Sequence, residues 1–139
     1  MNNLIKDLDL YDINPLEIVY QLLINDNTFI NYIGGKERVF KYHIPEEYRK
    51  TPPIIRLNPI IEKPAHYADN EQLAWNCIVQ IDVWDISDSR SIALKVNKLM
   101  KEINFKQDTP VFEFDPDTYL VRDTRRYRGI LMSKLKENE

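Results

Sequence analysis

The chain has 139 residues, with 19 lysines and arginines against 22 aspartates and glutamates, for a net charge of −3. At 43% hydrophobic and 29% charged residues it has the composition of a single folded domain, too apolar for a disordered chain and not basic enough to hold nucleic acid by overall charge. Its one cysteine, Cys77, excludes an internal disulfide and a thiolate zinc cluster, and no apolar run approaches the ~20 residues that a membrane helix needs.

Asp7 and Asp9 fall within the first ten residues, where a secretory signal would carry basic and then apolar residues, so no leader is expected there. Asn14-Pro15 reads as a helix cap followed by proline at the first helical position. Leu16, Val19, Tyr20, Leu23 and Ile24 then recur at helical spacing. Residues 26–33 either extend this helix or form a short second turn, and Gly34-Gly35 stops it. Residues 38–44 read as a strand with Phe40, Tyr42 and Ile44 on one side, ended by Pro45. Residues 53–61 read as a second strand, made an edge or bulged strand by Pro52, Pro53 and Pro59. Residues 62–73 read as a polar loop containing His66 and Tyr67.

The clearest strand spans 74–84. Trp75, Cys77, Val79, Ile81 and Val83 alternate with Asn76, Gln80 and Asp82, the pattern of a sheet buried on one face. Ile78 and Trp84 interrupt the polar parity, which predicts partial cover on the second face as well. A polar turn at 85–89 leads into an amphipathic helix at 89–103, whose stripe of Ile92, Ala93, Val96, Leu99, Met100 and Ile103 is broad enough to lie across a sheet. Strands at 111–115, 118–123 and 126–133 follow, the first two joined by a turn at Asp115-Pro116-Asp117. The fold class is α+β: a mainly antiparallel mixed sheet with two main helices packed on one face, in one domain over 1–139.

Candidate chemistry is sparse. Gly34-Gly35-Lys36 lacks the second glycine spacing and the Ser or Thr of a phosphate loop, so a helix cap fits better. Cys77 has the parity of a core residue. His43 and His66 share no metal-ligand spacing, and Asp82, Asp85, Asp88, Asp115 and Asp117 read as caps and turns rather than cation ligands. No nucleophile, base and oxyanion donor come together, and no cofactor or metal is expected. The unusual feature is Arg122, Arg125, Arg126 and Arg128, offset only by Asp123. Arg126 and Arg128 share a parity, and Arg122 falls on the neighbouring predicted strand. A nucleic-acid groove, a channel lining, an inter-subunit salt-bridge rim and a solvated outer sheet face all accommodate this cluster.

The stretches Tyr42-His43-Ile44-Pro45-Glu46-Glu47-Tyr48, Thr51-Pro52-Pro53-Ile54-Ile55-Arg56-Leu57, Tyr67-Ala68-Asp69-Asn70-Glu71 and Trp75 through Trp84, with Thr124-Arg125-Arg126-Tyr127-Arg128-Gly129 near the end, resemble the tail terminator (tail completion) proteins of siphophages that infect Gram-positive bacteria. The resemblance covers about residues 14–133 and rests on soft patterns. It implies a structural role without turnover. Such proteins form a hexameric ring that caps the tail tube, stops its polymerisation and meets the head-completion proteins of the neck, while DNA passes through the lumen without specific binding. It implies a place in the virion after assembly in the host cytoplasm, and no membrane partner. A head-closure or neck connector protein is the alternative within this class, and a small nucleic-acid-binding phage protein the alternative outside it. The expected oligomer and tube interface comprises Arg122, Arg125, Arg126 and Arg128, Ile78 and Trp84 on the second sheet face, and His66 and Tyr67 on a loop that reaches a neighbouring ring.

Overall fold

Asn14 caps the first helix as its spacing predicts, its side chain accepting from the Glu17 amide at 3.3 Å, and α1 runs Pro15–Ile24. The structure is a computed structural model that describes residues 14–68 and 71–132, with side chains at 14–64 and 74–131. Residues 26–33 do not extend α1. Asp26 accepts from the Phe29 amide at 2.8 Å and starts a separate helix, α2 (Asn27–Ile33), which Gly34 ends at φ 97°. That left-handed angle suits glycine because it has no Cβ to clash.

A 3₁₀ turn at Lys36–Arg38 leads into β1 (Val39–Lys41). The strand expected over 38–44 is therefore short, because Tyr42 turns to a φ of 67° and breaks the extended chain before Pro45 is reached. A further 3₁₀ turn, Glu46–Tyr48, precedes the long strands β2 (Ile54–Ala68) and β3 (Glu71–Asp85). The polar loop expected at 62–73 is thus an error. Glu62 pairs with Cys77, Lys63 with Asn76, Pro64 with Trp75 and Tyr67 with Gln72, so the segment forms the far half of a hairpin. Its polarity misled because Glu62, Lys63 and Pro64 are exposed without leaving the ladder. Of the prolines expected to mark an edge or bulged strand, Pro59 fits that reason, whereas Pro52 and Pro53 precede β2 and Pro64, expected in the loop, lies within it. Pro59 sits at the register shift before Ile61, and both Pro59 and Pro64 lie where β1, which pairs only with 55–57, no longer flanks β2.

The third helix, α3 (Ser89–Glu102), follows as predicted. Next come β4 (Lys106–Gln107) and β5 (Val111–Asp115), and finally β6 (Leu120–Met132). The expected strands at 118–123 and 126–133 are one continuous strand. Thr124, Arg125 and Arg126 pair with Asp82, Ile81 and Gln80 of β3, so the polar stretch stays in register. Strand order is β1-β2-β3-β6, with β4 and β5 both on the outer side of β6. Only β1–β2 is parallel among these pairs.

The fold is α+β, three helices against a mixed, mostly antiparallel six-stranded open sheet. α1 and α3 pack on the sheet face that carries Ile55, Leu57, Cys77, Val79, Ile81, Val83 and Tyr127, and this is the main core. Phe105 packs so close to Gly129 that a Cβ there would collide with its ring. The opposite face has a smaller buried apolar cluster at one end, formed by Ile44, Ile54, Trp84 and Leu120 with Phe40 and Tyr48. The rest of that face carries no helix among the described residues.

Candidate assembly surface

Successive residues of a strand face opposite sides, so register fixes what the open face displays. Arg56, Asp82 and Thr124 stand in one row across β2, β3 and β6. Asp82 is fully buried and gathers the row. It accepts from Arg56 Nη2 at 2.8 Å and Nε at 3.2 Å, from Thr124 Oγ1 at 2.7 Å, and from Gln80 Nε2 at 3.2 Å. The expectation that Asp82 caps a turn is therefore wrong. Asp85 and Asp115 do serve turns, accepting from the Asp88 and Asp117 amides at 3.1 and 3.0 Å.

The arginine cluster divides. Arg122, Arg126 and Arg128 share the open face on one strand, which corrects the placement of Arg122 on a neighbouring one. Arg125 points to the helix-covered side. It is 4% exposed beside Asp123 at 0%, bonding that carboxylate through Nε at 2.8 Å and Nη2 at 3.1 Å, and Gln107 through Nη1 at 2.8 Å. The Asp123 carboxylate holds the Arg125 guanidinium firmly in its charged form. On the open face Arg122 pairs with Glu113 of β5, and Arg128 with Asp108 at 2.9 Å. Arg126 bonds the neutral Gln80 at 3.1 Å. Most of the apparent positive charge is balanced within the chain, which removes the main support for a nucleic-acid groove.

Trp84 is not an open patch. It is 8% exposed beneath Ile44, Ile54 and Leu120, and Arg56 and Arg122 lie over its ring at 5.1 and 5.8 Å. Ile78 is half-buried and belongs to a different place, the hairpin end of the open face. Its neighbours there are Ile61 and Ile130, and Lys63, Lys106 and Arg128 rim the resulting groove of about 630 Å³. The side chains of His66 and Tyr67 lie outside the described residues.

At the opposite end β5 is an edge strand with its apolar residues uncovered. Val111, Phe112, Phe114 and Tyr119 are 53%, 45%, 56% and 76% exposed. Phe114 and Tyr119 meet edge-on at 5.9 Å, and Arg90 lies over the Phe112 ring at 4.4 Å. A hollow of about 230 Å³ opens between the 42–49 segment and the β5–β6 turn, where His43, Arg49 and Arg56 face Asp115 and Asp117.

Cys77 is in the core, where burial pushes its thiol up to about 12 and keeps it protonated and unreactive at neutral pH. His43 lines the hollow just described, away from it. Among the described residues, no three His, Cys, Asp or Glu side chains cluster closely enough to hold a metal.

Sequence reasoning missed Glu113 and Asp108, because their partners depend on the β4–β6 and β5–β6 registers. It also missed the Ile61, Ile78 and Ile130 group, which only the bulge after Pro59 brings onto one face. No protein-family model matches the chain, and no curated protein matches it in sequence.

Proposed function

We propose that this protein is a structural assembly subunit that works by docking, as the phage tail terminators it resembles do: it forms a ring at the end of a tail tube, stops tube growth and joins tail to head. One observation supports the reading: among the described residues a small sheet is coated by helices on one face only, and two unlike apolar surfaces, the β5 edge and the isoleucine groove, lie exposed at opposite ends of the sheet. A ring of identical subunits joined head to tail needs two different, complementary patches on every copy. The aromatic β5 edge and the isoleucine groove supply two unlike exposed patches. The hexameric count, the tube, the neck partner and the passage of DNA come from the resemblance.

The decisive experiment is deletion of the gene from its phage, followed by microscopy of the lysate. Full heads beside unattached tails of abnormal length support termination. Normal-length tails beside heads that leak DNA point instead to head closure. Ordinary attached tails, or a substrate consumed by the purified protein, overturn the proposal. A steep salt-dependent shift of DNA in a retardation assay would instead favour a nucleic-acid-binding role.

A further inference from the structure

The isoleucine groove is built from two rows on the open face. Ile61, Ile78, Arg128 and Lys106 form one row, and Lys63, Asn76 and Ile130 the other. Ile61 and Ile130 are exposed and Ile78 is half-buried. Arg128 is engaged by Asp108 at 2.9 Å, whereas Lys63 on β2 and Lys106 on β4 stand at opposite edges, and no carboxylate lines the groove. An apolar floor between two lysines suits an apolar segment that carries negative charge.

The place where the chain enters the fold lies close by. Glu17, in the first turn of α1, pairs with Lys41 at 2.7 Å, and Lys41 is the β1 residue opposite Leu57 of β2. α1 therefore starts beside the end of β1, where the outer edge of β2 becomes free among the described residues. Ile61 lies four residues further along β2, about 13 Å at ~3.3 Å per residue. Thirteen residues precede Asn14, enough to span about 43 Å when extended. They include Leu4, Ile5, Leu8 and Leu10, with Asp7, Asp9 and Asp12 against the single Lys6. The seven residues after Met132 also leave β6 near the groove, but they hold two lysines, two glutamates and one leucine. They lack both the apolar side chains and the negative charge.

We infer that residues 4–13 turn round the open edge of β2 and fill the isoleucine groove of their own chain. With Leu8 on the floor, Asp7 and Asp9 on either side of it reach the rim from which Lys63 and Lys106 rise. The occupant is this segment because it has the length, the starting point and the charge that the groove requires. Its tether also gives it a high effective concentration at the groove, which favours it over a free competitor. The contact needs no second copy and does not rest on the ring reading. Within that reading, a partner that docks at this end must first displace the segment.

The test uses the full-length chain with a nitroxide attached at Asn3→Cys and its isoleucine methyl groups isotopically labelled for NMR. Cys77 stays in place, since its buried, protonated thiol does not compete for the reagent. Melting curves first confirm that each variant folds. The expected result is broadening of the Ile61, Ile78 and Ile130 methyl signals, with the exposed Ile86, at the other end of β3, left sharp. No broadening at the groove would leave it to another partner and overturn the inference. A mixture of methyl-labelled chains without nitroxide and nitroxide chains without methyl labels should show no broadening. Broadening there would show that another copy's segment fills the groove, which also overturns it. Leu8→Asp in the nitroxide chain should abolish most of the effect, and persistence would reveal mere proximity of a tethered label. Charge exchange adds a second readout. Lys63→Glu with Lys106→Glu should likewise release the segment, and adding Asp7→Lys and Asp9→Lys should restore the broadening. Failure of release or of restoration counts against the inference. None of these outcomes bears on the ring, which the gene deletion tests separately.

Discussion

Replacing Arg125 by methionine should destabilise the fold far more than any change at its neighbouring arginines. The substitution leaves Asp123, fully buried, without the two hydrogen bonds at 2.8 and 3.1 Å that compensate its charge. Breaking one side of a buried pair costs about 3–5 kcal/mol, because the remaining charge keeps its desolvation penalty. Gln107 also loses its donor at 2.8 Å, which places the expected cost at the upper part of that range. The double variant Arg125→Met/Asp123→Leu removes both charges and should recover most of the loss, to within about 1–2 kcal/mol of the native chain. Urea unfolding followed by circular dichroism measures this. With a slope of about 2 kcal/mol per molar, the single variant's midpoint should fall by about 2 M. A single-variant loss below about 1 kcal/mol, or a double variant no better than the single, would refute the claim that Asp123 depends on Arg125. Arg126→Glu is the contrast: exposed and bonded to neutral Gln80, it should leave stability within about 0.5 kcal/mol.

Other expectations follow from local geometry. Gly129→Ala should cost about 1–3 kcal/mol by forcing Phe105 off the strand, and Phe105→Leu in the same chain should recover part of it in the same urea assay. Asp26→Ala removes the acceptor at the start of α2 and should cost about 1 kcal/mol in thermal or urea unfolding. The Cys77 thiol is raised in the folded chain to about 12 from an ordinary 9.0, so its stabilising effect is complete below about pH 9 and is lost as pH rises toward 12. Across that window the unfolded chain releases a proton that the folded chain retains, and stability should fall by about 1.4 kcal/mol per pH unit from this group. Burial likewise raises the Tyr127 hydroxyl, which adds a second alkaline loss. Cys77→Ala should flatten only the thiol's share, and an unchanged alkaline slope would count against a buried neutral thiol.

The helices were legible because their signals are local. Asn14-Pro15, the 89–103 stripe and Gly34 each act within a few residues, and each appears where expected. β3 was legible because strict alternation survives whatever lies beside it. The hairpin's far half and the unbroken β6 were not, since a polar strand and a polar loop differ only in whether a partner strand satisfies the backbone. That partner is set by register across dozens of residues. The same limit separated Arg125 from the other arginines. One break between two predicted strands erased the parity that assigns 122, 126 and 128 to one face and 125 to the other. The surfaces offered for docking are legible only after that register is known. Ile61 and Ile78 lie side by side because a single extra residue is absorbed after Pro59.

The internal pairing of charge bears on what the open face can do. A sheet face with free arginines would attract any polyanion, and a pore or collar that DNA must pass would then retain it. Here Arg56, Arg122 and Arg128 each face a carboxylate of their own chain. Those contacts fix side-chain positions and cancel the long-range field, so recognition falls to shape. That arrangement suits a partner presented at high local concentration in a fixed orientation, where steering adds little and register matters most. Arg126→Glu discriminates between the two regimes. If docking depends on a positive field across the face, a phage carrying the reversal should fail to join tails to heads in a complementation assay. If it depends on shape at the uncovered ends, the Arg126 variant should complement like the native chain, because Arg126 lies between the groove and the β5 edge and lines neither.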